Sequence, residues 1–243
     1  MEPAAAVTGA AAPGSLWLAR HALPVRPPGT GAAPQRPASA CCYGHTDWPA
    51  DPALTHQAAT ALAQALSTAH RPAGRTGSAA QPVASLRVRC SPLRRCQQLA
   101  DALAGLIPHI CVQTDPRLAE LHFGRWEGLP WDEVPRDELD AWAADFGTYR
   151  MGSNGETVQE LLQRVSSVAH EAQTSDAPDT LWITHAGVIR AVHWLQERGW
   201  PLVPEPPQAN AWPTPAPDYG GWCCTAWPAG SAAEPVKKGV SEG

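Results

Sequence analysis

Short apolar runs alternate along the chain with longer stretches in which apolar residues recur at helical spacing. Ser15–Arg20 (SLWLAR) is an apolar run ending at a charge, the pattern of a buried strand. Residues 24–40 are Pro-rich and aperiodic, which predicts a long loop. Residues 54–69 carry Ala58, Leu62 and Leu66 at helical spacing, and residues 71–82 read as a surface connection. From 85 to 90, Leu86, Val88 and Cys90 alternate with two arginines as in a strand. Ser91-Pro92 then predicts a helix start, with Ser at the N-cap and Pro at the first helical position, running to about Leu106. A short strand follows at 110–114. Residues 116–135 show no regular pattern, and 137–146 form a short helix. Asn154 is expected to cap a longer helix with Glu156 and Glu160 near its positive end. Residues 180–184 (TLWIT) read as a buried strand, 188–198 as a helix, 201–217 as a second Pro-rich loop and 221–227 as a last strand.

Strands and helices therefore alternate, which implies an α/β fold: a three-layer sandwich with a mostly parallel central sheet. One domain is expected over residues 15–228, between a disordered leader at 1–14 and a disordered tail at 229–243. The 20 glycines and 26 prolines among 243 residues fall short of the ~25–30% that marks low-complexity disorder. Acids outnumber bases 23 to 18, for a formal net charge of −5. That balance argues against a general nucleic-acid or membrane-surface binder.

The longest apolar stretch, 181–195, is broken by His185, Arg190 and His193, so no membrane span is expected. No basic residue precedes Arg20, unlike the charged start of a secretory signal. The cysteine count is odd at seven, two pairs are vicinal and there is no C-x-x-C. That is neither a disulfide framework nor a zinc-ligand spacing, and it points to reduced thiols in a cytoplasmic protein.

Three predicted strands run into polar or charged residues. The first ends at Arg20-His21, the second leads to Ser91 and Arg94-Arg95, and the strand at 180–184 ends at His185 with Gly187 beyond it. Ligands of open α/β sheets bind beyond the carboxyl ends of the strands. Two histidines and arginines distant in sequence would thus converge on one pocket. Arginine forks match phosphate oxygens, and the amides of the helix after His185 favour an anion. A neutral imidazole among such arginines is a competent nucleophile for phosphoryl transfer. A leaving alkoxide needs a proton, for which Glu120, Glu127, Asp115 and Asp132 are the carboxylates in the irregular segment.

These blocks resemble the histidine phosphatase superfamily, the phosphoglycerate-mutase-like fold. Leu16-Trp17-Leu18-Ala19-Arg20-His21 is similar to its first strand and R-H-G signature. The run from Cys90 through Arg95 to Ala100 is similar to S-x-L-x-R-A-x-Q-T-A, and that from Leu118 through Glu120 to Gly128 to L-x-E-x-x-F-G-x-W-E-G. Thr184-His185-Ala186-Gly187-Val188-Ile189-Arg190 is similar to S-H-x-G-V-I-R, and Asn154-Gly155-Glu156-Thr157 resembles the N-G-E-S helix start.

The resemblance implies His21 as phosphate acceptor, with Arg20, Arg95 and His185 holding the phosphoryl oxygens. Glu120 would protonate the leaving group and then help activate water. No metal or organic cofactor is implied. The substrate would be a small phosphate ester, with no nucleic-acid or membrane partner, and oligomeric state is left open.

Within the superfamily the residues look most like the alpha-ribazole phosphatase branch of cobalamin assembly. The shared features are the F-G-x-W-E block, the tryptophan-bearing helix at 140–146 and the Gly220-Gly221-Trp222-Cys223 element. Alpha-ribazole 5′-phosphate or adenosylcobalamin 5′-phosphate is then the expected substrate. A generalist or phosphosugar phosphatase, or a non-catalytic phospholigand-binding relative, is the alternative.

Two departures stand out. Ala22 replaces the glycine after the histidine, which costs roughly 1 kcal/mol if the backbone there needs φ > 0 and nothing otherwise. The family's Thr and Asn downstream of R-H-G have no clear counterpart between Leu23 and Ala40, although Cys42-Tyr43-Gly44-His45-Thr46-Asp47 resembles Y-S-G-H-x-D.

Overall fold

A computed structural model describes residues 14–27, 37–70, 86–173 and 179–226. The segments read as leader and tail lie outside the described residues except for Gly14, as does the connection at 71–82. So do residues 28–36 of the first Pro-rich loop.

The expected order of elements holds: β1 (Ser15–Arg20), α1 (Pro52–Ala69), β2 (Arg87–Cys90), α2 (Arg94–Leu106), β3 (Val112–Thr114), α3 (Arg136–Ala144), α4 (Val158–Gln173), β4 (Thr180–Thr184), α5 (Ala186–Glu197) and β5 (Trp222–Ala226). The sheet order is β3-β2-β4-β1-β5. The first four strands in that order pair in parallel, and β5 joins β1 antiparallel at the edge.

Alternation along the strands builds the three layers. Leu16, Leu18 and Trp182 face one side, where α4 and α5 cover them with Leu161, Leu162, Val165, Val188, Val192 and Leu195. Trp17, Ala19, Val88, Leu181 and Ile183 face the other side, against Ala59, Leu62 and Leu66 of α1 and Leu99 and Leu103 of α2. These strand residues are all buried, so both faces of the central strands are covered, as a parallel sheet requires. Arg20 pairs with Thr184, and Cys90 with Ile183. This register brings the carboxyl ends of β1, β4 and β2 level, and the chain leaves them at His21, His185 and Ser91 respectively.

Several local expectations are corrected. Helix α1 begins at Pro52 rather than 54, because the Asp51 side chain accepts from the Leu54 amide at 2.9 Å and caps it. Helix α2 begins at Arg94 with Leu93 at its N-cap, so Ser91 is not its cap. The carboxylate of Asp47 accepts instead from the Arg94 amide at 2.7 Å. Helix α4 is capped by Thr157 rather than Asn154. The Thr157 hydroxyl accepts from the Glu160 amide at 3.1 Å, and the Glu160 carboxylate accepts from the Thr157 amide at 2.9 Å, a reciprocal capping box. The segment 116–135 winds into single 3-10 turns at Pro116–Leu118, Gly124–Trp126 and Trp131–Glu133, and the second Pro-rich loop holds one at Ala209–Ala211. Ala22 does not adopt a positive φ, so its side chain carries no backbone penalty.

Candidate active site

His21 leaves β1 almost fully buried, at 2% exposure. Its Nδ1 lies 2.7 Å from the Ala22 carbonyl oxygen. A carbonyl can only accept, so Nδ1 carries the proton and Nε2 presents its lone pair. His185, buried at the end of β4, packs beside it with ring centroids 5.0 Å apart. The Nδ1 of His185 accepts from Arg95 Nε at 3.3 Å, which leaves Nε2–H to donate to Ser91 Oγ at 2.8 Å. Both His185 nitrogens are thus engaged by protein.

Burial is the main force holding both imidazoles well below the usual histidine range, and the Arg95 charge adds to it. The Ala22 hydrogen bond works the other way for His21 and is outweighed. Both rings are therefore neutral at neutral pH.

Arg95 is fully buried in the first turn of α2. Besides His185, it donates to the carbonyls of Thr46 at 2.9 Å and Gly44 at 2.6 Å. Arg20 donates to the Pro217 carbonyl at 3.0 Å. Among the described residues neither arginine has a carboxylate partner. A buried guanidinium held only by carbonyls and an imidazole keeps its full charge, and an anion is what neutralises it.

The loop that grips Arg95 is itself held by Glu127. This carboxylate accepts from the amides of His45 at 2.7 Å, Thr46 at 2.5 Å and Phe123 at 3.1 Å, and from the Thr46 hydroxyl at 2.5 Å. A Cβ on Gly44 would lie 1.7 Å from the Leu121 carbonyl, so only glycine lets the two loops approach this closely.

Glu120 sits half-buried in the irregular segment. Its Oε1 accepts from the Leu121 amide at 2.9 Å and its Oε2 from the Gly187 amide at 3.2 Å, at the N-terminus of α5. Its backbone is fixed by Arg164 of α4, which donates to the carbonyls of Arg117, Ala119 and Glu120 and pairs through Nε with Glu156 at 2.6 Å.

The other carboxylates of the segment are placed differently. Asp115 is locked between Arg89 at 2.9 Å and Arg117 at 2.8 Å. Burial alone would raise its pKa, but the hydrogen bonds and charge of Arg117, with the charge of Arg89, outweigh it and hold the carboxyl ionised. Asp132 lies in the 3-10 turn at Trp131–Glu133.

The structure thus gathers His21, His185, Arg20 and Arg95 at one end of the sheet and sets Glu120 against α5, beside His185. Sequence reasoning missed Tyr43 and Tyr219, whose rings lie against the two arginines, as well as the Ser91 contact with His185. The need for glycine at 187 was hidden in an H-x-G string whose glycine has no signal until the Glu120 carboxylate is placed beside it.

Among the described residues, no three His, Cys, Asp or Glu side chains gather to hold a metal ion, and no helix is long and apolar enough to cross a membrane. All seven cysteines are free thiols.

The family model of the histidine phosphatase superfamily (branch 1) matches residues 40–211. A metal-independent phosphoserine phosphatase from Arabidopsis thaliana is 29% identical over 156 residues, 62% of this chain and 64% of that relative. The chain therefore spans just under two thirds of that relative's length. The native structure of a mycobacterial glucosyl-3-phosphoglycerate phosphatase is similar with a TM-score of 0.61 at 21% identity, over 87% of this chain and 89% of that one. A crystal structure of a Thermus thermophilus protein gives a TM-score of 0.55 at 21% identity, over 88% and 94% of the two chains. At such identities the two solved structures speak for the fold alone.

Proposed function

Since the chain belongs to the histidine phosphatase superfamily, we propose that it is a phosphoric monoester hydrolase that works without a metal through a phosphohistidine on His21. The observation that carries this reading is the fully buried Arg95, without a carboxylate partner among the described residues, beside a neutral His21 whose Nδ1 is tied to Ala22.

In this mechanism Arg20 and Arg95 hold the phosphoryl oxygens and offset their charge, and His185, packed beside His21, joins them. The Nε2 lone pair of His21 attacks phosphorus as the ester bond breaks. Glu120 gives its proton to the departing alkoxide. Glu120, now a carboxylate, takes a proton from water as that water attacks the phosphohistidine. Inorganic phosphate leaves and His21 is neutral again. The arginines supply the positive charge that a metal supplies in other phosphatases.

The substrate is a small soluble phosphate ester met in the cytoplasm, where free thiols persist. The finer reading is alpha-ribazole 5′-phosphate or adenosylcobalamin 5′-phosphate, which rests on the blocks around Phe123, Trp126, Trp142 and Trp222. Phosphoserine and glucosyl-3-phosphoglycerate enter as rivals through the names of the similar proteins.

Phosphate release measured across these esters and p-nitrophenyl phosphate tests both levels. The highest kcat/KM is expected for the alpha-ribazole ester. A higher value for phosphoserine or a phosphosugar replaces the cobalamin role, and no release from any ester removes the enzyme reading in favour of a phospholigand-binding one.

A further inference from the structure

Each of the two unneutralised arginines rests on a tyrosine. The Arg20 guanidinium carbon lies 3.8 Å from the centroid of Tyr219, and that of Arg95 lies 5.3 Å from the centroid of Tyr43. The hydroxyls of the two tyrosines are 2.6 Å apart, joined across 176 residues of chain. An aromatic face attracts a guanidinium without cancelling its charge, which a carboxylate in the same place would do. The pair therefore fixes both cations and leaves them free to meet an anion.

Two phenols carry two hydroxyl protons, and the bond between them uses one. Burial, and then the bond to Tyr219, push the Tyr43 phenol well above its ordinary range, and either hydroxyl can donate in that bond. One proton is left over, and with Tyr43 as the donor it is that of Tyr219. Among the described residues no protein acceptor meets it. The Tyr219 ring is 5.7 Å from the His21 ring, centroid to centroid, whereas Tyr43 stacks on Trp48 at 5.5 Å. Of the neighbouring hydroxyls, Thr46 donates to Glu127 and Thr184 donates to the Leu118 carbonyl, while Ser91 accepts from His185 and the Leu93 amide.

We propose that Tyr219 is a phosphoryl-binding residue, donating its hydroxyl proton to a non-bridging oxygen of the ester held at His21, and that Tyr43 is a positioning residue that orients it. This deepens the phosphatase reading and rests on it. In the complex Tyr43 donates to Tyr219, and a charged non-bridging oxygen accepts the Tyr219 proton.

Binding of inorganic phosphate and orthovanadate to the full chain tests the assignment, with Tyr219→Phe and Tyr43→Phe beside the parent. Tyr219→Phe keeps the ring under Arg20 and removes the donor, together with the bond to Tyr43 that Tyr43→Phe also breaks. It is expected to weaken both anions roughly ten- to hundredfold, the worth of a hydrogen bond to a charged group, while any fall of the unfolding midpoint in the absence of anion is shared with Tyr43→Phe, which breaks the same bond. Tyr43→Phe is expected to weaken them less, because Tyr219 keeps its proton. Parental affinity in Tyr219→Phe, or a loss confined to Tyr43→Phe, overturns the assignment while the phosphatase reading stands. A parent that binds neither anion overturns both.

Discussion

The Glu120 carboxylate lies on the Gly187 amide, 3.2 Å from Oε2 to nitrogen, at a point where a Cβ on residue 187 would come within 2.2 Å of Oε1. The Glu120 carboxylate and the first turn of α5 thus occupy one space, and α5 begins directly after His185. Gly187→Ala is therefore expected to displace the carboxylate without emptying the core. Turnover of an alkyl phosphate should fall by ~10²-fold or more, the usual worth of a general acid. Turnover of p-nitrophenyl phosphate, whose leaving group needs little proton help, should fall far less. Glu120→Gln should show the same split, and equal losses on the two esters would count against Glu120 as the acid.

Glu127 provides the contrast. It holds the 44–46 loop, and through the Gly44 and Thr46 carbonyls that loop holds Arg95. Glu127→Gln replaces one acceptor oxygen with a donor that faces other donors. KM should rise about tenfold for alkyl and aryl esters alike, with their ratio unchanged, as for a loss of uniform binding. A leaving-group dependence in Glu127→Gln would instead make it the acid.

The pH profiles follow from the buried imidazoles. Burial, reinforced by Arg95, disfavours their charged forms. The acid limb of kcat/KM, where His21 takes up a proton and loses its lone pair, should lie below the ordinary histidine value of 6.5. Removing the Arg95 charge in Arg95→Gln should move the limb of the residual activity to higher pH. Stability carries the same signature. Below about 6.5 the unfolded chain protonates both histidines and the native chain does not, so the unfolding midpoint should drop as pH is lowered through that window. His21→Asn should flatten the drop, and an unchanged slope would contradict the assignment.

Exhaustive chelation should leave activity intact, because the positive charge at the site is Arg20 and Arg95. Activity lost to a chelator and restored by Mg²⁺ or Zn²⁺ would contradict the mechanism.

The layers of the fold were legible because each strand carries its own pattern. The reading of 180–184 coincides with β4, and the strand ends at Arg20-His21 and His185 did converge once Arg20 paired with Thr184. What sequence could not show was set by contacts between distant residues. Ser91-Pro92 has every local mark of a helix start, but the Ser91 hydroxyl is taken by His185, and Asp47 caps α2 from 47 residues upstream. Asn154 lost its expected role to Thr157 because the Thr157–Glu160 box closes one turn later. Tyr219 sits after a proline-rich loop and has no local signal, since Arg20, His21 and Tyr43 are its partners only in the fold.

Rapid quenching of the protein during turnover of ³²P-labelled substrate bears most directly on the central claim. With Nδ1 of His21 committed to the Ala22 carbonyl, the label should be acid-labile and base-stable, and should reside on Nε2 of His21. It should vanish in His21→Ala together with turnover. Label on His185, on a cysteine or on Nδ1 of His21, or turnover that survives in His21→Ala, would contradict the account.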